Sequence, residues 1–317
     1  MRLSIVILDR ETLGDDLDIS ALQEIGDVTE YANTTKDETA TRIQDAHIVI
    51  SNKVILTKEM MIQAPKLQLV CIAATGMNNI ELDAAKELGI EVKNVTAYST
   101  PSVVQHTFAM LFYLLEHMKY YDNVVQSGLW SLSGVFTDLH HPFFELSDKR
   151  WGIIGLGTIG LEVAKIASSF GIEVSYYSTS GLNHNSSFAK KELDSLLKES
   201  DIISIHAPLN EHTLNLINDT NLPLLKEKAI MLNLGRGGII NETDLAYELD
   251  RREIYAGLDV VQKEPIDMDN PLMKIEHKDR LLITPHIAWT SIEARERLLK
   301  GIVDNIKDFQ KTKGFYV

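Results

Sequence analysis

Three side chains in the second half of the sequence could share acid–base work. Arg236 stands in Asn233-Leu-Gly-Arg-Gly-Gly238, Glu264 precedes Pro265, and His286 stands in Thr284-Pro-His-Ile-Ala-Trp289. Each follows a short apolar run that reads as a strand, so all three fall on loops. A guanidinium can hold a carboxylate bidentately and polarise the carbonyl next to it. An imidazole can give a proton to that carbonyl oxygen, or accept it in the reverse direction. A carboxylate bonded to the imidazole fixes its tautomer and raises its pKa toward neutral pH. The set suits reversible hydride transfer at the carbonyl of a small acid. Taken singly, the simpler readings are a surface Arg, a solvated Glu and a strand-capping His.

What favours the joint reading lies upstream, between Trp151 and Lys165. An apolar run, Trp151 to Ile154, is followed by Gly155, Gly157 and Gly160, and then by Ile159, Val163 and Ile166 at helical spacing. This is the G-x-G-x-x-G of a dinucleotide-binding βαβ unit. Gly155 allows the tight turn, Gly157 admits a pyrophosphate, and Gly160 lets helix and strand pack closely. The helix N-terminus offers free N–H groups and a positive dipole end to the phosphates. An acidic residue is expected about 20 positions on, to grip the ribose. The sequence has Tyr177-Ser178-Thr179-Ser180 there, with neither an acid for NAD nor an Arg for the NADP phosphate. These residues leave the cofactor choice open.

The elements that must position these groups form two sets. From 1 to 93, strands at Leu3–Leu8, Val28–Tyr31, His47–Ile50, Leu69–Ile72 and Glu91–Val92 alternate with helices near 18–25, 37–44, 58–63 and 81–88. That is an α/β pattern with a parallel sheet. Ligands of such sheets collect at the carboxyl ends of strands. Two loops qualify, Ser51-Asn52-Lys53 and Ala74-Thr75-Gly76-Met77-Asn78-Asn79. The second could hold a carboxylate on its backbone N–H groups, or be an ordinary turn; Lys53 could be a substrate cation or simply solvated.

Residues 101–127 read as one long apolar helix, with Gln105 and His106 as structural members, suited to a seam between domains or subunits. Residues 128–148 have no clear period and read as an extended arm or loop, one able to cross to a second subunit. The second set has six strands, at Trp151–Ile154, Glu173–Tyr177, Ile202–His206, Ala229–Asn233, Tyr255–Asp259 and Leu281–Thr284, the Rossmann count. Helices fall at 158–169, 191–199, 222–225 and 242–250. A last helix, 291–311, has Ile292, Arg295, Leu299, Ile302, Ile306 and Phe309 along its apolar side and returns to the first domain.

The totals bound the function. A chain of 317 residues can hold two domains. A net charge of −14 argues against nucleic acid or an anionic membrane as partner, but a small anion needs only one or two well-placed cations. The single cysteine, Cys71, sits in an apolar run and reads as a core thiol in a reducing compartment. The run Leu3–Leu8 is too short for a signal peptide and no stretch reaches membrane-spanning length, so the cytoplasm is expected. No metal site is expected.

Over nearly its whole length the sequence resembles the D-isomer-specific 2-hydroxyacid dehydrogenase family. The matching stretches are Ala74 to Ile80, Gly155-Leu-Gly-Thr-Ile-Gly160, His206-Ala-Pro-Leu209, Asn233 to Gly237, Gly257-Leu-Asp-Val260 with Glu264-Pro265, and Thr284-Pro-His-Ile-Ala288. The Ala-Thr-Gly loop, Ser102-Val-Val-Gln-His-Thr107 and Trp289 look most like the glycerate dehydrogenase, or hydroxypyruvate reductase, branch.

The resemblance implies two Rossmann-like lobes: a doubly wound NAD-binding domain over 99–289, and a smaller flavodoxin-like substrate domain over 1–98 with 290–317. It implies Arg236, Glu264 and His286 as the catalytic set. Thr158 and Ile159 would lie under the pyrophosphate, with Ser178 in place of the ribose-binding acid. Ala207, Pro208, Leu234 and Asp259 would line the adenine and nicotinamide sides, Asp259 holding the carboxamide. Thr75 and Gly76 would hold the substrate carboxylate with Arg236. The expected cofactor is NAD, with NADP open, the substrate a small 2-keto acid and the assembly a homodimer. Two alternatives stand beside a hydroxypyruvate or glyoxylate reductase. One is a D-lactate dehydrogenase or a reductase of bulkier 2-keto acids; the other is a non-enzymatic, NAD(H)-sensing corepressor or scaffold.

Overall fold

A computed structural model describes residues 2–314 and divides into two compact units. The first comprises the residues up to Ser99 and those from Thr290 onward; the second is Thr100–Trp289. In the first, β1 (Ser4–Ile7), α1 (Ser20–Ile25), β2 (Asp27–Glu30), α2 (Lys36–Ile43), β3 (Ile48–Ser51), α3 (Lys58–Ile62), β4 (Leu69–Ile72), α4 (Leu82–Glu87) and β5 (Glu91–Lys93) alternate. Among the described residues the sheet runs β2-β1-β3-β4-β5, all parallel, the flavodoxin order. Strands β3 and β4 are buried along their whole length, which is why they read as unbroken apolar runs. Cys71 lies inside β4 with no exposed surface, and burial pushes its thiol up to about 12.

The second unit opens with α5 (Thr100–Leu115), α6 (Met118–Gln126) and α7 (Leu129–Ser133). The single helix expected over 101–127 is thus two. His117 sits between them in the left-handed region, φ 51°, and breaks the ladder. The stretch expected to be extended from 128 begins instead with the short α7, bracketed by Gly128 and Gly134 at φ 77° and 74°. Glycine alone adopts that region without strain.

Then come β6 (Arg150–Ile154), α8 (Thr158–Ser169), β7 (Glu173–Tyr177), β8 (Ala189–Lys190), α9 (Leu193–Glu199), β9 (Ile202–Ile205), β10 (Ile230–Asn233), α10 (Glu242–Arg251), β11 (Tyr255–Leu258) and β12 (Leu281–Ile283). Among the described residues the sheet has seven parallel strands, β12-β11-β10-β9-β6-β7-β8. The strand the sequence reading lacked is β8. It is two exposed residues long and carries no apolar pattern. The segment 222–225, read as a helix, is a 3-10 turn over Leu222–Leu224. The chain order reverses between β6 and β9, where a doubly wound sheet binds its ligand. Apolar clusters cover both faces. One gathers Trp151, Val163 and Tyr176 with Phe108 and Leu111 of α5; the other gathers Ile203, Leu245 and Leu249.

The final helix, α11 (Ile292–Lys313), belongs to the first unit. Its buried face is Ala294, Leu298, Leu299, Ile302, Val303, Ile306 and Phe309. Of the residues assigned to that face, Ile292 is not on it, being 60% exposed, whereas the Arg295 side chain is 12% exposed and forms a two-pronged pair with Asp16, at 2.5 and 2.7 Å.

Candidate active site

The glycine turn behaves as its spacing requires, each glycine for its own reason. Gly155 takes φ 91°, and a Cβ there would come within 3.0 Å of the Ala207 backbone. A Cβ on Gly160 would lie 2.3 Å from the Gly155 carbonyl oxygen, so helix α8 can press on β6 only with glycine there. Nothing lies within 4 Å of a Cβ on Gly157, which leaves open space above the turn. Helix α8 starts at Thr158 with no side-chain cap. The first intrahelical bond runs from Leu161 N to Gly157 O at 2.9 Å, and the amides ahead of it in the first turn have no helical acceptor.

The other sequence-nominated cofactor residues of this unit surround that turn. Ala207 is buried and packs against Gly155, while Pro208 beside it is exposed. His206, next to them, is pushed down to about 3 by burial and is neutral; its Nε2 lies 3.0 Å from Ser204 Oγ, which also accepts the Trp151 indole N–H. Leu234 is buried, its N–H donating to Ile205 O at 3.2 Å. Ser178, directly after β7, is only 4% exposed, and its hydroxyl oxygen accepts from Asn183 N at 3.3 Å. Asn183 in turn donates from Nδ2 to Leu156 O at 3.3 Å, folding the 178–183 turn against the glycine loop.

Arg236, Glu264 and His286 follow β10, β11 and β12, three neighbouring strands in parallel register. Their loops therefore share one edge of one sheet. His286 Nδ1 lies 2.7 Å from Glu264 Oε2, whose other oxygen accepts from Val261 N at 3.2 Å. A carboxylate only accepts, so Nδ1 carries the proton and Nε2 is the ring nitrogen left for a substrate. Arg236 donates from Nη1 to Gly235 O at 2.8 Å. Asn233 ties its loop, donating to Arg236 O and accepting from Gly235 N.

The glycines flanking Arg236 serve packing rather than turning. A Cβ on Gly235 would stand 2.7 Å from Ala207 O, and one on Gly237 1.9 Å from Val261 O. Both permit close backbone packing. The positive φ of the loop falls on Gly238, at 81°.

Asp259 is the residue whose surroundings were least visible in the sequence. It is 2% exposed. Its carboxylate accepts from Thr284 Oγ1 at 2.7 Å, Ile287 N at 2.8 Å and Ala288 N at 3.0 Å. Its carbonyl accepts from His286 N at 2.9 Å. Asp259 thus holds, from both sides, the loop that carries His286. Because Thr284 gives its proton to Asp259, His106 Nε2, 3.1 Å from Thr284 Oγ1, must be the donor of that contact. His286 itself has φ 54°, a region costly for a residue with a Cβ, and this bonding compensates for it.

In the first unit, Lys53 follows β3, while Thr75 and Gly76 follow the adjacent β4. A buried carboxylate shapes the Lys53 loop. Asp9, just past β1, accepts from the amides of Asn52, Lys53 and Val54. Sequence reading missed it; an acid just after an apolar strand was the available signal. Thr75 is tied by its hydroxyl to Val95 O and by its carbonyl to Asn94 Nδ2. Among the described residues no cluster of His, Cys, Asp and Glu could hold a metal ion, and no helix is long and apolar enough to cross a membrane.

Comparison with known proteins places this geometry. Residues 108–288 match the family described as D-isomer specific 2-hydroxyacid dehydrogenase, NAD binding domain. A hydroxypyruvate reductase of Blautia hydrogenotrophica is 37% identical, over 98% of this chain and 97% of its own. A glycerate dehydrogenase of Methylorubrum extorquens is 34% identical, over 98% and 96%. A D-lactate dehydrogenase of Aquifex aeolicus, solved with NAD and lactic acid, superposes with TM-score 0.83 at 27% identity, covering 98% of this chain and 96% of that one. With its two parallel-sheet units and its glycine turn at the switch point, the chain belongs to the D-isomer-specific 2-hydroxyacid dehydrogenases, NAD-binding oxidoreductases.

Proposed function

We propose that the chain reduces a small 2-keto acid to the D-2-hydroxy acid, hydroxypyruvate or glyoxylate first, using a reduced nicotinamide dinucleotide. The observation that carries this is the His286–Glu264 pair at 2.7 Å, one loop away from Arg236 on the same sheet edge. The residues present fit the dinucleotide: the space over Gly157 and the uncapped first turn of α8 suit a pyrophosphate. When bound, the nicotinamide supplies the hydride. Arg236 holds the substrate carboxylate and polarises the carbonyl beside it. With both ring nitrogens protonated, His286 gives the Nε2 proton to the carbonyl oxygen, and Glu264, accepting from Nδ1–H, orients the ring and balances its charge. Thr75, Gly76 and Lys53 are the substrate contacts assigned to the first unit.

The hydroxypyruvate and glycerate names of the two relatives above support the substrate class. The test is turnover of a panel, hydroxypyruvate, glyoxylate, pyruvate and bulkier 2-keto acids, with NADH and with NADPH. Highest kcat/KM on a two- or three-carbon acid is expected. Tight dinucleotide binding with no turnover on any of them would favour a sensor or scaffold instead.

We further propose a homodimer through the segment after α7. Leu132 at the end of α7, and Val135, Phe136 and Leu139 just beyond it, are 84, 61, 90 and 78% exposed, and large apolar side chains left in water so close along the chain suit an interaction surface. Light scattering should give twice the chain mass, and Phe136→Asp should lower it toward one. The lone buried Cys71 supports a reducing, cytoplasmic setting.

A further inference from the structure

We infer that the rim beyond β7 accepts the 2′-phosphate of NADP(H), with Lys190 as its cation, so that the enzyme uses NADPH alongside NADH. This rests on the reading above that the adenine ribose lies at the carboxyl end of β7. A carboxylate at the end of the second strand grips the ribose hydroxyls and repels a phosphate placed there. Here that position is Ser178, followed by Thr179 and Ser180, so no acid occupies the strand end.

The cation comes from an element the sequence did not reveal. Strand β8 pairs with β7 in parallel, setting Lys190 beside Tyr176. From there the ammonium reaches the turn after β7, donating to Gly181 O at 3.2 Å. Among the described residues no carboxylate pairs with Lys190, whereas its neighbour Lys191 is neutralised by Glu199 at 2.6 Å. Gly181, at φ 70°, has nothing within 4 Å of where a Cβ would stand, so the rim is open. Thr179 belongs to the same turn. An exposed ammonium resting on a neutral carbonyl gains most from an anion that brings charge as well as acceptor oxygens. NADP(H) differs from NAD(H) by such a group.

The experiment is direct binding of NADH and NADPH to the full chain, by calorimetry or nicotinamide fluorescence, for wild type, Lys190→Ala and Ser178→Asp. Lys190 is exposed, and circular dichroism will show that its variant is folded. Wild type should bind the two cofactors within about tenfold of each other, and Lys190→Ala should weaken NADPH by about tenfold while changing NADH by no more than about twofold, the scale of one charge-assisted hydrogen bond. Ser178→Asp should lose NADPH selectively. A wider gap in favour of NADH, or a Lys190→Ala effect that is shared by both cofactors or absent from both, would overturn the inference while leaving the dehydrogenase reading standing. Failure of wild type to bind either cofactor would overturn that reading, and this inference with it.

Discussion

At the scale of single residues, the site depends on His286 being held where an unsupported chain would not put it. Its left-handed backbone is fixed by bonds from His286 N to Asp259 O and Thr284 O, both at 2.9 Å, and its ring by Glu264. Under the proposed mechanism, replacing the imidazole removes the proton donor and little else. His286→Ala should lower kcat by about 10²–10⁴-fold on the preferred keto acid, the usual range for a general acid, with NADH affinity near wild type. Wild-type turnover on every 2-keto acid would mean the proton comes from elsewhere.

Asp259 makes a second, separable prediction. Asp259→Asn keeps the shape but turns an N–H group toward a loop amide that needs an acceptor. Leaving a buried amide unsatisfied costs about 1–3 kcal/mol, so the melting temperature should fall together with kcat. A variant with unchanged melting and unchanged rate would show that the 284–288 loop holds its shape unaided. Arg236, Glu264 and His286 were legible because each sits in a short run with glycine or proline beside it, just past a strand. The work of Asp259, Asp9 and His106 was not, since each acts on partners far along the chain, and nothing local marks a lone acid or histidine as a loop anchor.

At the scale of elements, two glycines three positions apart make opposite predictions. Gly160→Ala drives a methyl to 2.3 Å from the Gly155 carbonyl, a backbone atom that cannot swing aside. Overpacking of this kind costs about 1–3 kcal/mol, and α8 would have to lift off β6. Gly157→Ala meets nothing in the protein. Its melting temperature without ligand should match wild type, while affinity for NADH falls because the methyl fills the space over the turn. Equal losses of stability in both variants would contradict the division of labour between them. The strand–glycine–helix unit was readable from spacing because close packing there admits one residue type. Strand β8 was unreadable because two exposed residues at a sheet edge need no apolar pattern. The break at His117 was unreadable because the apolar period runs on through it; only the backbone angle changes.

At the scale of the molecule, each unit carries its own core, and the two differ in continuity. The second is one stretch of chain, Thr100–Trp289, whereas the first closes only when α11 returns to it. That return was legible, since a last helix with one apolar face and no partner in its own half must pack elsewhere. Its exact face was not, because Ile292 falls on helical spacing yet is 60% exposed at the first turn. Leu298 and Ile302 are 0 and 1% exposed inside this unit, and Gly301 brings the helix against Val95, where a Cβ would stand 2.6 Å from a methyl carbon. Truncating a buried leucine to alanine costs about 2–5 kcal/mol. Leu298→Ala should therefore loosen the first unit selectively, with faster amide exchange in β1, β3 and β4. Exchange in β6, β9 and β10 should stay slow, and NADH affinity should change by no more than about twofold, because the glycine turn and its neighbours lie in the other unit. KM for the keto acid should rise, since the proposed substrate contacts Thr75 and Gly76 follow β4. If exchange instead rises equally in both sheets, the two cores melt as one cooperative body, and assigning substrate contacts and cofactor contacts to separately stable units would have to be abandoned.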